Sequence, residues 1–271
     1  MSQLWNLLLY HPLLNALVGL AHFTGDLGWS IILLTVVLRL AMTPLVLPSL
    51  RLSKKMADLA PELAKLKEVH KDDKQALLKA QTELYKSHGA NPASGCLPQI
   101  IQLLVLIALF NAFNSVLRGN GDLVNRLNPL LYSFNTLPSN FNLSTKFFYL
   151  DLSKPDTQAV PGFPFPLPGI FLLITGLVQL LQSKMMAPVV SAEEKLAKKT
   201  PGESDDAMVA AQQQMLYMFP IMTVIFGYQF PSGLVLYWLV FSLVSMFQQY
   251  YATGWGGLKP WLQKVNLLKS S

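Results

Sequence analysis

The sequence predicts an all-α integral membrane protein with five transmembrane helices, an N-terminal interfacial helix and a cytoplasmic helical hairpin. Three observations carry that prediction. Charged residues make up 13% of the 271 residues, while 52% are hydrophobic; a globular protein carries about 25% charge, so too little remains to coat a water-facing surface. Three apolar runs, 27–47, 97–117 and 167–186, reach the roughly 20 residues a helix needs to cross a bilayer core. Basic residues are concentrated between those runs, with nine Lys and Arg in 49–94.

Each run is expected to be helical, because unpaired backbone groups are too costly in hydrocarbon for anything but helices or closed barrels. Alternating ten-residue strands are absent, which argues against a barrel. Two further runs, 215–230 and 234–250, are shorter and separated only by Pro231, Ser232 and Gly233, the pattern of a tight helical hairpin. At 1.5 Å per residue they span about 24–26 Å, less than the ~30 Å core, which suggests local thinning of the bilayer. The single cysteine, Cys96, excludes an internal disulfide.

Residues 1–26 are apolar but hold no Lys or Arg, unlike a secretory signal. Leu4, Leu7, Leu8, Leu14, Leu17 and Val18 recur at helical spacing, interrupted at Tyr10, His11 and Pro12. The expectation is one or two short helices in the membrane interface. A sixth span is the competing reading, and the polar residues Asn6, Tyr10–Pro12 and Asn15 count against it.

The remaining boundaries follow from the runs. The first span is 27–48, the cytoplasmic hairpin 49–94, the second span 95–117, an external loop 118–166 and the third span 167–186. A cytoplasmic loop at 187–214, the fourth and fifth spans at 215–250 and a tail at 251–271 complete the chain. Orientation comes from the loops, since Lys and Arg favour the cytoplasmic side. Segments 49–94, 187–214 and the tail carry nine, three and three, against four in 118–166. The N-terminus is therefore expected outside and the C-terminus in the cytoplasm.

The hairpin shows two apolar stripes: Met56, Leu59, Leu63, Leu66 and Val69, then Leu77, Leu78, Leu84 and Tyr85. Between them, Asp72 or Asp73 can cap the second helix. Loop 187–214 reads as flexible. The external loop, rich in Asn, Ser, Pro and aromatics, is expected to lie along the outer leaflet, with no chemistry assigned to it.

Arg39 is the foremost candidate functional residue. It lies about twelve residues into its run, near 18 Å from the outer end, and Pro44 and Pro48 mark the cytoplasmic exit beyond it. A central arginine costs roughly 2.5–3.5 kcal/mol to insert, so it should face a bundle interior or a wet cavity. A side chain snorkelling to the headgroups is the bland alternative, and the depth counts against it. Thr35 and Thr43, at i−4 and i+4, extend a polar stripe. None of the five runs contains Asp or Glu, which suggests a positively charged, water-filled cavity able to attract a carboxylate carried by something else. Gln99, Gln102, Asn111, Asn114, Gln179, Gln182, Ser183 and Trp238 also lie at membrane depth. Each alone is well explained as interhelical glue worth about 0.6 kcal/mol; together they are compatible with a hydrophilic groove.

Enzyme chemistry lacks residues to stand on. HExxH, Walker and serine-elbow motifs are absent, and the four histidines, His11, His22, His70 and His88, are scattered. No metal, cofactor or direct nucleic-acid binding is expected.

Four strings, in order, resemble the YidC/Oxa/Albino membrane protein insertases. They are Trp29-Ser30-Ile31-Ile32 with Leu38-Arg39-Leu40 and Pro44; Leu84-Tyr85-Lys86 through Asn91-Pro92 to Leu97-Pro98; Gln182-Ser183-Lys184-Met185 with Pro188; and Pro231-Ser232-Gly233-Leu234 with Leu236-Tyr237-Trp238 and Gln248-Gln249. The chain departs from the pattern at Phe241-Ser242-Leu243, where relatives often have Ser-Asn. It also resembles a short bacterial form without the large periplasmic domain.

The resemblance implies five core spans around a groove open to cytoplasm and lipid. Arg39 would be the groove cation, with Gln102, Gln182 and Trp238 in its wall and Gln179 as the alternative to Gln182. It implies an insertase and chaperone of the bacterial plasma membrane, working without nucleotide hydrolysis. Nascent membrane proteins and the lipid bilayer would be its partners, with the ribosome, the signal recognition particle pathway and the Sec translocon as further candidates. The rival functions are a transporter or channel subunit with an intramembrane anion site, and a structural subunit of a larger complex.

Overall fold

A computed structural model describes residues 3–70, 73–89, 97–117, 123–197 and 204–264. The described chain is mostly helical. Among the described residues four helices are long and apolar enough to cross a membrane: Gln3–Thr24, Leu27–Leu52, Ile100–Leu117 and Ser232–Thr253. Ile170–Met186 and Tyr217–Gly227 are apolar but shorter. The chain folds as two compact units, one of Met1–Ala41, Ile100–Val178 and Met222–Val244, the other of Met42–Gln99, Gln179–Ile221 and Ser245–Ser271.

The first unit begins with α1 (Gln3–Trp5), a π-helical turn (Asn6–Tyr10) and α2 (His11–Thr24). These form one continuous helical stretch, the first of the one or two short helices expected here. The π turn explains the continuity: Pro12 lacks an N–H and its ring crowds the carbonyl four residues back, and a widened turn relieves that conflict without ending the helix. The polar residues of the interruption have partners. Tyr10 Oη lies 2.8 Å from Ser115 Oγ, and His11 Nδ1 lies 3.1 Å from the Leu130 carbonyl. Asn15 donates to the carbonyls of His11 and Leu130 and accepts from the Tyr132 amide and the Asn135 side chain. α2 ends at Gly25, which takes the left-handed conformation (φ 69°) that a side chain would strain.

Helix α3 (Leu27–Asp58) runs for 32 residues, about 48 Å at the α-helical rise. It passes through both Pro44 and Pro48 without ending, and residues 53–58 extend α3 instead of opening the hairpin. A proline in a helix frees one carbonyl, which is tolerable where neighbours or water can satisfy it. Helices α6 (Leu97–Leu117), α7 (Leu123–Leu127), α8 (Ile170–Ala197), α9 (Ser204–Gly227) and α10 (Ser232–Thr253) follow the hairpin.

The segment between α7 and α8, expected above to be external, holds two small antiparallel pairs. β1 (Lys146–Phe147) pairs with β2 (Leu150–Asp151), and β3 (Thr157–Gln158) pairs with β4 (Leu167–Pro168). The third apolar run therefore becomes helical only at Ile170, because Leu167 and Pro168 are committed to a strand. The segment then satisfies the first amides of three helices, groups that no helix can satisfy itself. The Leu27 amide of α3 donates to the Ser144 carbonyl at 3.1 Å. At α8 the Gly169 amide donates to the Asp156 carbonyl, the Phe171 amide to Tyr149 Oη and the Leu172 amide to the Asp156 carboxylate. At α10 the Ser232 amide donates to the Lys154 carbonyl, the Gly233 amide to the Leu152 carbonyl and Ser232 Oγ to the Asp151 carbonyl. Three helices thus have their first turns fastened to one segment. Close packing leaves no room for a side chain at Gly28, where a Cβ would meet the Phe147 ring, or at Gly169, where it would meet the Asp156 carboxylate.

In the second unit, α4 (Ala60–Val69) and α5 (Lys74–Ser87) pack against each other as the expected helical hairpin. Leu59, Leu63 and Leu77 are buried, whereas Val69 and Leu78 are exposed and take no part in the stripe. Of the two candidate caps, Asp73 serves: its Oδ1 accepts from the Gln75 and Ala76 amides, each at 3.0 Å. Asp72 lies outside the described residues, as do 90–96, 198–203 and 265–271. Helix α11 (Lys259–Lys264) follows α10.

Candidate functional site

The seven residues singled out above divide between the units. Thr35, Arg39, Gln102 and Trp238 belong to the first; Thr43, Gln179 and Gln182 belong to the second. In the first unit α3, α6 and α10 bring their candidates together. Arg39 is only 7% exposed, and its guanidinium carbon lies 4.2 Å from the centroid of the Phe241 ring. A cation over an aromatic face gains about 2 kcal/mol or more when desolvated, which offsets much of the insertion cost of an arginine at this depth.

Phe241 sits one helical turn beyond Tyr237, and the two rings are 6.0 Å apart. Tyr237 is buried and its hydroxyl accepts a 2.7 Å hydrogen bond from Gln102 Nε2. Gln102, Tyr237, Phe241 and Arg39 therefore form one chain of contacts across three helices. Thr35 is also buried, but its hydroxyl donates back to the Ile31 carbonyl at 2.6 Å, a local bond typical of threonine in apolar helices. Trp238 is half-buried and packs edge-on to Phe230 at 6.0 Å. Its Nε1 is buried without a hydrogen-bond partner among the described residues.

Sequence reasoning missed Tyr237 and Phe241 as members of this cluster. Tyr237 was noticed only inside a motif, and Phe241 only as a departure from the resembling family's pattern. That departure was the available signal, since it places an aromatic ring where Arg39 packs.

In the second unit Gln248 Nε2 donates to Thr43 Oγ1 at 2.7 Å. Gln179 is 2% exposed, and its Oε1 has no hydrogen-bond partner among the described residues. Gln182 is half-buried. Lys184 Nζ stands 5.2 Å from the Trp261 ring centroid of α11. No group of three or more His, Cys, Asp or Glu suited to a metal ion occurs among the described residues.

Residues 19–256 match the family described as 60Kd inner membrane protein. The chain belongs to this family. Within it, a "Membrane protein insertase YidC" of Fusobacterium nucleatum is 33% identical over 229 residues, covering 84% of this chain and 87% of that protein. Proteins of the same name from Geobacter sulfurreducens and Pelobacter propionicus are 31% and 32% identical over 91% of this chain. The chain spans only 37% and 39% of their lengths. The resemblance carried by the four sequence strings is thus to the right family, and the names of these 60Kd inner membrane protein relatives support an insertase function.

Proposed function

We propose that this chain is a membrane protein insertase and chaperone. It moves short hydrophilic flanks and transmembrane segments into the bilayer through a hydrophilic groove open to cytoplasm and lipid, without nucleotide hydrolysis. The observation that carries the reading is Arg39, the one charged residue in the 27–50 stretch of α3, held over Phe241 in a chain of this family. Arg39 and Thr35, with Gln102 and Trp238, would meet the acidic or polar flank of a substrate. Thr43, Gln179 and Gln182 are the second unit's contribution. The gain comes from partitioning the apolar segment into lipid, and the membrane potential assists acidic flanks. Nascent membrane proteins are the proposed clients, with the ribosome, the signal recognition particle pathway and the Sec translocon as delivery partners.

Five core spans are proposed: α3, α6, α8, α9 and α10. Helix α10, at 22 residues, is long enough at about 33 Å, which removes the expected thinning there. The apolar stretches Ile170–Met186 and Tyr217–Gly227, of 17 and 11 residues, are now the ones that favour a thinner bilayer. The N-terminal helix is proposed to lie in the interface. Asn15, at its middle, is bonded to the external segment at residues 130–135, while Leu4, Leu7, Leu8 and Phe23 are exposed for contact with lipid. The external segment then faces outward, and the C-terminus is cytoplasmic in a bacterial plasma membrane.

Proteoliposomes containing the purified chain test this. A single-span substrate with an acidic N-terminal tail should insert, and Arg39→Ala should reduce insertion by roughly tenfold, equivalent to about 1.4 kcal/mol. Arg39→Lys should retain more activity than Arg39→Ala. Unchanged insertion by the alanine variant would remove the electrostatic role. Liposomes that conduct anions while inserting nothing would replace the insertase by an anion channel.

A further inference from the structure

The first unit contains an apolar cavity of about 690 Å³ on which the proposed insertion site makes no claim. Its walls come from the first turns of α3 (Trp29, Ile32), the start of α8 (Phe171), the first half of α10 (Leu236, Val240) and the β1–β2 hairpin. The wall presents no polar surface. The only hydroxyl at its edge, on Tyr149, accepts from the Phe171 amide and is thereby turned to a structural use.

Volume and length decide what fits. The cavity lies within the roughly 300–1,000 Å³ of small-molecule sites. A membrane-crossing helix about 10 Å wide and 30 Å long occupies roughly 2,400 Å³, so a substrate helix is far too large. Along α10 the lining runs from Leu236 to Val244, about 12 Å at the helical rise. That length approaches one leaflet of a ~30 Å hydrocarbon core, starting at the end held by the external segment. On the same two helices Leu33, Val37 and Leu243 are also exposed apolar residues, as expected where they face the bilayer in a membrane protein of this family.

The rim points the same way. Phe148 and Tyr149 form the two-residue turn of the hairpin and are 87% and 61% exposed. Phe148 has φ 52°, a conformation that such turns usually give to Asn or Gly and that is an outlier for a bulky residue. An aromatic ring kept at a strained, water-exposed turn is wasteful in water and well placed at the headgroup level of a bilayer. Trp29, 53% exposed, packs edge-on to Phe147 and completes that rim.

We propose that this cavity is a binding site for one acyl chain of a bilayer phospholipid, in the leaflet on the side of the external segment, with Trp29, Phe148 and Tyr149 at the level of the headgroup. The bound chain fills the space between α3, α8 and α10 and belongs to the lipid environment, so the site operates whether or not a substrate is being inserted.

The test uses the full chain in vesicles containing a phosphatidylcholine with a diazirine at the end of one acyl chain. Photolysis followed by peptide mapping should concentrate adducts on residues 29–32 and 236–244. Labelling of the exposed face of α6 at Ile100, Leu103 and Ile107 should be several-fold lower. Filling the cavity with Leu239→Trp should cut the groove adducts several-fold and leave those on α6 unchanged. The milder Val240→Phe should do so in part, and it serves if the tryptophan variant does not fold. Uniform labelling of all lipid-facing helices, or groove labelling unaffected by either filled variant, would overturn the proposal and reduce the cavity to ordinary annular contact.

Discussion

The α7–α8 segment of the first unit and the α4–α5 hairpin of the second are ordered on opposite plans. The hairpin is held by its own parts: Leu59, Leu63 and Leu77 are its buried residues, and Asp73 caps the helix that directly follows it. The α7–α8 segment has four strands of two residues each and gains order by satisfying helices far from it in sequence. Asp156 reaches the Leu172 amide, and the carbonyls of Leu152 and Lys154 reach Gly233 and Ser232. A local plan confines damage, whereas a distributed one spreads it across three helices.

That contrast can be broken or sharpened by substitution. The largest effect is expected at Gly28→Leu, whose side chain would collide with the Phe147 ring. Overpacking of this kind costs about 1–3 kcal/mol. Thermal unfolding in detergent should begin at a lower temperature, and amide exchange should accelerate in the first turns of α3, α8 and α10 together. Asp156→Ala should come next, at about 1–2 kcal/mol for the loss of a cap, with faster exchange confined to the first turn of α8. Asp73→Ala should cost about 1 kcal/mol and loosen α5 alone; a response in α8 as well would end the distinction between the two plans.

The smallest effect concerns pH. Burial pulls the Asp151 carboxyl upward, but hydrogen bonds from Ser153 and the Lys154 ammonium outweigh it and leave the carboxyl below its ordinary value. A group lowered on folding contributes stability that is present above the unfolded value of about 3.9 and is lost as pH falls through the folded value. Asp151→Asn should therefore lower the unfolding temperature slightly at neutral pH, the effect being small for a largely solvated pair. The gap from the parent chain should close below about pH 4.

The same contrast explains what was legible in the sequence. Long apolar runs announce helices, and an arginine inside one announces itself by its cost, so Arg39 and the membrane-length helices at Leu27–Leu52, Ile100–Leu117 and Ser232–Thr253 could be read directly. The hairpin was equally readable because its stripes and its cap lie within a few residues of each other. Caps supplied from elsewhere leave no local mark. Gly169 stands at the start of α8 without a side chain to cap it, and the carboxylate that serves comes from Asp156. Likewise the polar residues of the N-terminal helix looked like a break because their partners, at Ser115 and in 130–135, lie more than a hundred residues away. The ring beneath Arg39 was hidden for the same reason.

The latch at Ser232 also sets an order of events in the biogenesis of the chain itself. Its partners at Asp151, Leu152 and Lys154 are made about eighty residues before it. Closing so long a loop is entropically slow to reward. While the ribosome is still producing α8 and α9, α3 can already be capped from Ser144 and α8 from Asp156, yet the segment stays unfastened at its third attachment. The first unit is completed only when α10 arrives, which makes that helix the clasp of the unit.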